Sequence, residues 1–316
     1  MILKLLRREA LPVKCVEHCY VCPHQCGAKR GIFEGDGFCG MGVRPKVARV
    51  GPHYWEEPCI SGKKGSGAVF FSGCTLKCVF CQNYEISADH VGVFITPEQL
   101  ANCYRNLEAQ GVHNINLVSA AHYVEAVLES FEIYTPKIPV LYNSSGYESV
   151  ESLRRLEGKI DIYLPDFKYS DNRMAERYSS AFNYSQVALA AIEEMVLQTG
   201  DIKYDADGIV QSGTIVRVLV LPNHTKDAMA ILDCIRANFG RSVLVSILGQ
   251  YVPTGEAYKY PEINRKLTEK EYDKVVNHAL KLNLDGFMQE LSSADEKYIP
   301  DFSPSSSDYF NYNSTH

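Results

Sequence analysis

The 316-residue chain is expected to fold as an α/β protein built on a parallel sheet, and three observations predict it. From residue 66 onward, strand-like and helix-like segments alternate in the manner of repeated β-α units. The strand-like segments are short apolar runs of the kind buried on both faces. The first 60 residues differ in kind: rich in Cys, Gly and Pro and poor in periodicity, they read as a loop-built appendage.

The first unit is a strand over 67–72 followed by a cysteine-bearing loop. Thr96 as N-cap and Glu98 in the first turn open a helix at Pro97, and Gly111 is its stop. Further strands are expected over 114–118, 139–142, 160–164, 214–221 and 242–248. Helices are expected over 122–132, 148–157, 172–200, 225–239 and 268–282. Six strands are too few for a full eight-stranded barrel. The expected organisation is a Cys-rich metal-binding segment over 1–60, a core over 61–288 and a polar, flexible tail over 289–316.

Composition narrows the function classes. Hydrophobic residues make up 46% and charged residues 22%, and no apolar run is long enough to span a bilayer, so no membrane partner is expected. The first ten residues carry no convincing secretory signal, and the cytoplasm is the expected location. A net charge of -6 lacks the basic footprint that nucleic-acid binding needs. Seven of the eleven cysteines fall into two motif-like groups, which metal ligation in a reducing compartment explains better than disulfides.

The more informative group is Cys74, Cys78 and Cys81, a C-x3-C-x2-C triplet directly after the apolar stretch Ala68-Val69-Phe70-Phe71. Three thiolates on one loop can hold three corners of a four-iron cluster and leave one iron open to a ligand. The alternative is a structural zinc completed by a distant ligand, but zinc sites ordinarily pair C-x2-C or C-x4-C with a second pair. Gly73 permits the sharp turn off the strand. The second group, Cys19-x2-Cys22-x3-Cys26-x12-Cys39, supplies four ligands for zinc or a second iron-sulfur cluster, with Cys15 to spare.

The triplet, with aromatic Phe80 before its last cysteine, resembles the radical S-adenosylmethionine (SAM) superfamily. Flanking stretches narrow the resemblance: Glu56-Glu57-Pro58-Cys59-Ile60-Ser61-Gly62, Gln82-Asn83-Tyr84-Glu85, Tyr142-Asn143-Ser144-Ser145-Gly146-Tyr147 and Asp161 to Tyr169. Together they resemble the branch related to pyruvate formate-lyase activating enzyme, over roughly residues 15–290. The resemblance implies an open partial (β/α)6 TIM-like barrel with its site at the carboxyl ends of the strands. It also implies a 4Fe-4S cluster on the triplet, SAM on the open iron, and Phe80 against the adenine. Asp166 and Lys168 match an Asp-x-Lys beside the SAM carboxylate and a monovalent cation, and Arg217 matches a basic residue near SAM. Ser144 and Ser145 are placed to hydrogen-bond the cofactor.

One stretch departs from the branch. Where the second strand of the activating enzymes ends in Gly-Gly-Glu, this chain reads Ser119-Ala120-Ala121-His122. SAM binding then falls to Ser119 and His122, unless His122 caps the following helix. Gln250 and Tyr251 stand where the family has an active-site histidine. The implied reaction is reductive cleavage of SAM to a 5'-deoxyadenosyl radical that abstracts hydrogen from a substrate, with a glycyl radical protein as one implied partner and flavodoxin or ferredoxin as reductant. The competing reading is an iron-sulfur scaffold or electron carrier that has lost catalysis.

Overall fold

The apolar runs become the centre of the molecule because their backbone groups pair across the sheet while both faces are covered. The computed structural model describes residues 14–289 together with Leu291, Ala294 and Phe302. The chain opens with a small antiparallel hairpin, β1 (Val16–Cys19) and β2 (Ala28–Arg30), and then enters the main sheet with β3 (Lys46–His53). A short helix α1 (Pro58–Ser61) leads to β4 (Ser66–Phe71), and α2 (Tyr84–Ser87) and β5 (Val93–Phe94) follow the cysteine loop. Next come α3 (Pro97–Ala109), β6 (Ile115–Val118), α4 (Val124–Ile133), β7 (Val140–Ser144), α5 (Val150–Arg155) and β8 (Ile162–Pro165). The last part comprises α6 (Asn172–Ser179), α7 (Tyr184–Thr199), β9 (Lys203–Tyr204), β10 (Val210–Leu219), α8 (Thr225–Phe239), β11 (Leu244–Leu248), α9 (Glu269–Lys281) and β12 (Gly286–Met288).

Strands β4, β6, β7, β8, β10, β11 and β12 lie side by side in chain order, all parallel. Every residue of β4, β6, β7 and β8 is buried, as a sheet covered on both faces requires. Beyond β4, β3 pairs antiparallel, and β5 pairs with β3 in turn. The edge strands β5 and β12 do not meet each other, so the α/β partial barrel is open. Its helices start where the side chains dictate. Thr96 and Gln99 form a capping box on α3, and Thr268 and Glu271 form one on α9.

The structure differs from the sequence-based expectation in three places. Residues 46–53, expected to be loop, form β3, whose backbone groups pair along the free edge of β4. A seventh parallel strand, β12, follows α9. The helix expected over 172–200 is two helices, parted between Ser180 and Asn183, both with positive φ of 52°. The break leaves carbonyls of α6 open, and the cysteine loop takes them: Lys77 N donates to Ser179 O at 3.0 Å and Val79 N to Tyr178 O at 2.8 Å. The expected tail over 289–316 lies outside the described residues except Gln289, Leu291, Ala294 and Phe302, as does the absence of a signal over the first ten residues. Phe302 is buried, with its ring 5.5 Å from that of Phe70. No described helix is long and apolar enough to cross a membrane.

Candidate functional site

A cavity of about 390 Å³ opens at the carboxyl ends of the parallel strands. The loop after β4 forms one wall. Gly73, at φ +81°, turns the chain so tightly that a Cβ there would lie 2.4 Å from Met41 Cγ, which glycine alone avoids. Beyond the turn, Cys74, Cys78 and Cys81 all line the cavity. Each sulfur accepts a hydrogen bond: Cys74 from Leu76 N at 3.3 Å, Cys78 from Ser179 Oγ at 3.0 Å, and Cys81 from Ser87 Oγ at 3.3 Å and from the Asn83 backbone. Burial pushes the Cys74 thiol up to about 12 and the Cys78 thiol up to about 11, and it raises Cys81 as well.

These residues fit an iron-sulfur cluster. Enclosed thiols that resist losing a proton to water yield it to a metal, whose charge takes the proton's place. A hydrogen bond at each sulfur tempers the thiolate charge and tunes the potential. Among the described residues no three His, Cys, Asp or Glu side chains gather round one point as the ligands of a single ion do. Thiolates that bind separate irons of a cluster stand further apart than that.

The opposite wall is charged. Arg217 of β10 donates to Asp166 Oδ1 at 2.8 Å, to Asn143 Oδ1 at 2.6 Å and to Glu56 Oε2 at 3.2 Å. Lys168 Nζ lies 2.5 Å from Asp166 Oδ2. Glu56 Oε1 accepts from Asn116 Nδ2 at 2.9 Å and Asn143 Nδ2 at 3.1 Å. Burial alone would raise Asp166, but Arg217 and Lys168 outweigh it and hold its carboxyl below the ordinary value. Burial would likewise lower Lys168, and Asp166 reverses that. Two anions and two cations therefore face the thiols with their charges nearly balanced, able to receive a zwitterion without a large change in field.

Between these walls sit the strand ends. Ser119 lines the cavity in the left-handed region, at φ 62°, an unusual conformation for a non-glycine residue. Phe80 packs edge-on against Tyr251, ring centres 5.7 Å apart. The Ser144 hydroxyl turns inward, donating to Glu148 Oε1 at 2.7 Å and accepting from Gly146 N at 3.0 Å, while the neighbouring Ser145 is half-buried at the cavity. Tyr184 fastens the ends of β7 and β8 together: its hydroxyl donates to Ser145 O at 2.7 Å and accepts from Lys168 N at 3.0 Å.

The structure thus brings ten of the sequence-derived candidates to one cavity: Cys74, Cys78, Phe80, Cys81, Ser119, Ser144, Ser145, Asp166, Lys168 and Arg217. His122 is the exception. It is buried, its Nε2 bonds Ser72 O at 2.9 Å, and it makes no helix cap. It lines a second, small cavity with Cys19, Cys22, Cys26 and Cys39. The residues that sequence reasoning missed are Glu56, Asn143, Glu148, Ser179 and Tyr184. Glu56 had a visible signal, a pair of acidic residues just before a proline; the other four act through contacts that only the fold creates.

A family model described as the radical SAM superfamily matches residues 68–229. An uncharacterised protein of Methanocaldococcus jannaschii, MJ0674, is 32% identical over 279 residues, covering 85% of this chain and 76% of that protein. Among solved structures, Streptococcus suis SuiB bound to precursor peptide SuiA is similar with 13% identity and a TM-score of 0.48 over 70% of this chain. This chain spans 48% of the SuiB chain. Methylornithine synthase (PylB) is similar with 13% identity and a TM-score of 0.46, over 71% of this chain and 70% of that one.

Proposed function

This chain belongs to the radical SAM superfamily, and on that premise we propose that it cleaves SAM reductively and uses the resulting radical to abstract hydrogen from a substrate. The observation that carries the proposal is the meeting of three thiols and an ion-paired polar wall in one cavity of about 390 Å³. When bound, the reduced cluster and SAM would supply the electron and the 5'-deoxyadenosyl radical. The protein's own residues do the rest. Cys74, Cys78 and Cys81 would ligate the cluster, and Ser179, Ser87 and the Leu76 amide fix their sulfurs. Lys168 and Arg217 present cations for the SAM carboxylate, and Asp166 and Glu56 present anions for its ammonium group or a monovalent cation. Phe80 and Tyr251 form an aromatic wall for the adenine, and the turn at Ser119 exposes backbone beside it.

The finer reading is a protein related to pyruvate formate-lyase activating enzyme that acts on a glycyl radical protein and takes electrons from flavodoxin or ferredoxin. Its support is the match at Asp166, Lys168 and Arg217 and at the stretches around the triplet. The four N-terminal thiols are proposed as a second metal site.

Electron paramagnetic resonance of the reconstituted, dithionite-reduced protein tests the assignment. A reduced 4Fe-4S signal whose g-values shift on adding SAM supports it. A signal indifferent to SAM contradicts it and favours the scaffold reading.

A further inference from the structure

Resting on the reading of Cys74, Cys78 and Cys81 as cluster ligands, we propose that the surface behind their loop docks a small, acidic, one-electron carrier protein that reduces the cluster. That surface is built on Arg44, Lys46 and Lys77 and on the rings of Phe33, Phe38 and Phe94.

The loop has two sides. Cys74, Leu76 and Cys78 line the main cavity, whereas Thr75 and Lys77, which alternate with them, do not. SAM and substrate would fill the cavity side, so a donor protein too large to enter it must approach from the other. Electron tunnelling decays steeply with distance, which requires that approach to be close to the loop itself.

The surface behind the loop is cationic and aromatic. Lys77 Nζ lies 5.4 Å from the centre of the Phe38 ring, and Phe38 stacks at 3.9 Å on His24, whose Nε2 bonds Thr75 O at 2.8 Å. Lys46 Nζ lies 5.0 Å from the Phe94 ring and Arg44 Cζ 5.7 Å from the Phe33 ring, and those two rings meet edge-on at 4.9 Å. His90 joins the two groups. Burial lowers its pKa, Lys77 and Lys46 both lower it further, and Asp89 alone among the acids opposes them.

These cations have no counter-charge on this chain. Among the described residues none of Arg44, Lys46 and Lys77 forms an ion pair. The acids of the same loops, Glu34, Asp36 and Asp89, are exposed and pair with none of the three. Arg44 Nε and His90 Nε2 are buried without a hydrogen-bond partner. Beside them Phe33 is 47% exposed. On a chain of net charge -6 this is a local reversal of the field, which steers an acidic partner to the one side of the loop it can reach. Electron-transfer encounters use small, transient interfaces, for which a few cations on a few rings suffice. In the step itself the carrier is oxidised by one electron and the cluster is reduced by one, and no bond is made or broken.

The test is stopped-flow reduction of the reconstituted full chain by flavodoxin hydroquinone and, separately, by reduced ferredoxin, both acidic carriers, followed by bleaching of the cluster absorbance. Lys46→Glu/Lys77→Glu is expected to be reduced about ten-fold more slowly than the wild type at low salt by at least one carrier, and the wild-type rate to fall as salt rises. Lys270→Glu/Lys274→Glu makes the same change in net charge on the exposed side of α9 and is expected to keep the wild-type rate. Dithionite, which needs no docking, should reduce all three proteins alike. Equal rates for the wild type and Lys46→Glu/Lys77→Glu with both carriers, or equal slowing in the α9 variant, overturn the proposal and leave the cluster reading in place. A wild type without any dithionite-reducible cluster overturns both. Should Lys46→Glu/Lys77→Glu not hold a cluster, Arg44→Glu/Lys46→Glu, which lies outside the cysteine loop, reads the same rate.

Discussion

Glu56 and Arg217, 161 positions apart in the chain, meet at 3.2 Å on the wall of the cavity. Glu56 comes from the turn after the antiparallel strand β3 and Arg217 from the middle of the parallel sheet, so the pair stitches the antiparallel edge to the strands bearing Asp166 and Asn143. Their side chains are 9% and 15% exposed, which makes the pair costly to break from one side only.

Arg217→Gln leaves Glu56 and Asp166 facing each other without their shared cation. A loss of about 3–5 kcal/mol is expected, together with weaker SAM binding. The double variant Glu56→Gln/Arg217→Met should recover much of the stability but not the SAM affinity. Denaturant midpoints and calorimetric titration with SAM would separate the two effects; equal stability of the single and double variants would refute the coupling.

Tyr184→Phe removes a hydroxyl that serves Ser145 O, Asp166 O and the Lys168 amide. Leaving these part-buried backbone groups without the hydroxyl is expected to cost about 1–3 kcal/mol and to loosen the ends of β7 and β8. Urea unfolding measures the cost, and hydrogen exchange at Lys168 and its neighbours should rise. Exchange unchanged there would show that the hydroxyl is not the fastening.

Glu148 is buried behind Ser144 and Tyr142, and burial pushes its carboxyl up to about 7 despite the hydrogen bonds from both hydroxyls. A raised carboxyl pKa means that the folded protein holds the proton more tightly than the unfolded chain. Its contribution is complete below the unfolded value of about 4.3 and declines as pH climbs, until it is gone above about 7. Glu148→Gln should therefore be more stable than the wild type at pH 8, by on the order of 3–4 kcal/mol, and show little difference near pH 4.5. Melting curves at both pH values check this; a difference independent of pH would contradict it.

Most of the fold was legible because its signals are local. Apolar runs, caps such as Thr96 and the stop at Gly111 each lie within one element. β12 was hidden because three residues starting with glycine carry no pattern, and β3 because Gly51 and Pro52 break its run. The split after Ser179 answers to the cysteine loop, a partner about 100 residues away. The site shows the same division. Cys74, Cys78 and Cys81 announce themselves by spacing, whereas Asn143, Ser179 and Tyr184 are ordinary residues until the sheet sets them beside Arg217, Cys78 and Lys168. His122 was legible as a titratable group, but the 3-10 turn over Ala121–Tyr123 points it to the N-terminal thiols and away from the cavity.

Ser179 donates its hydroxyl proton to Cys78 sulfur. Ser179→Ala should remove charge stabilisation from the reduced cluster and lower its potential. A redox titration followed by electron paramagnetic resonance reads the shift, and a potential equal to or above the wild-type value would show that this bond does not tune the cluster.

The central claim, that this cavity cleaves SAM, is tested most directly by chromatographic assay for 5'-deoxyadenosine after anaerobic reconstitution and dithionite reduction. The wild type is predicted to form the nucleoside and Cys78→Ala to form none. A wild type with a full complement of iron and reduced-cluster signal that still yields no nucleoside would contradict the account.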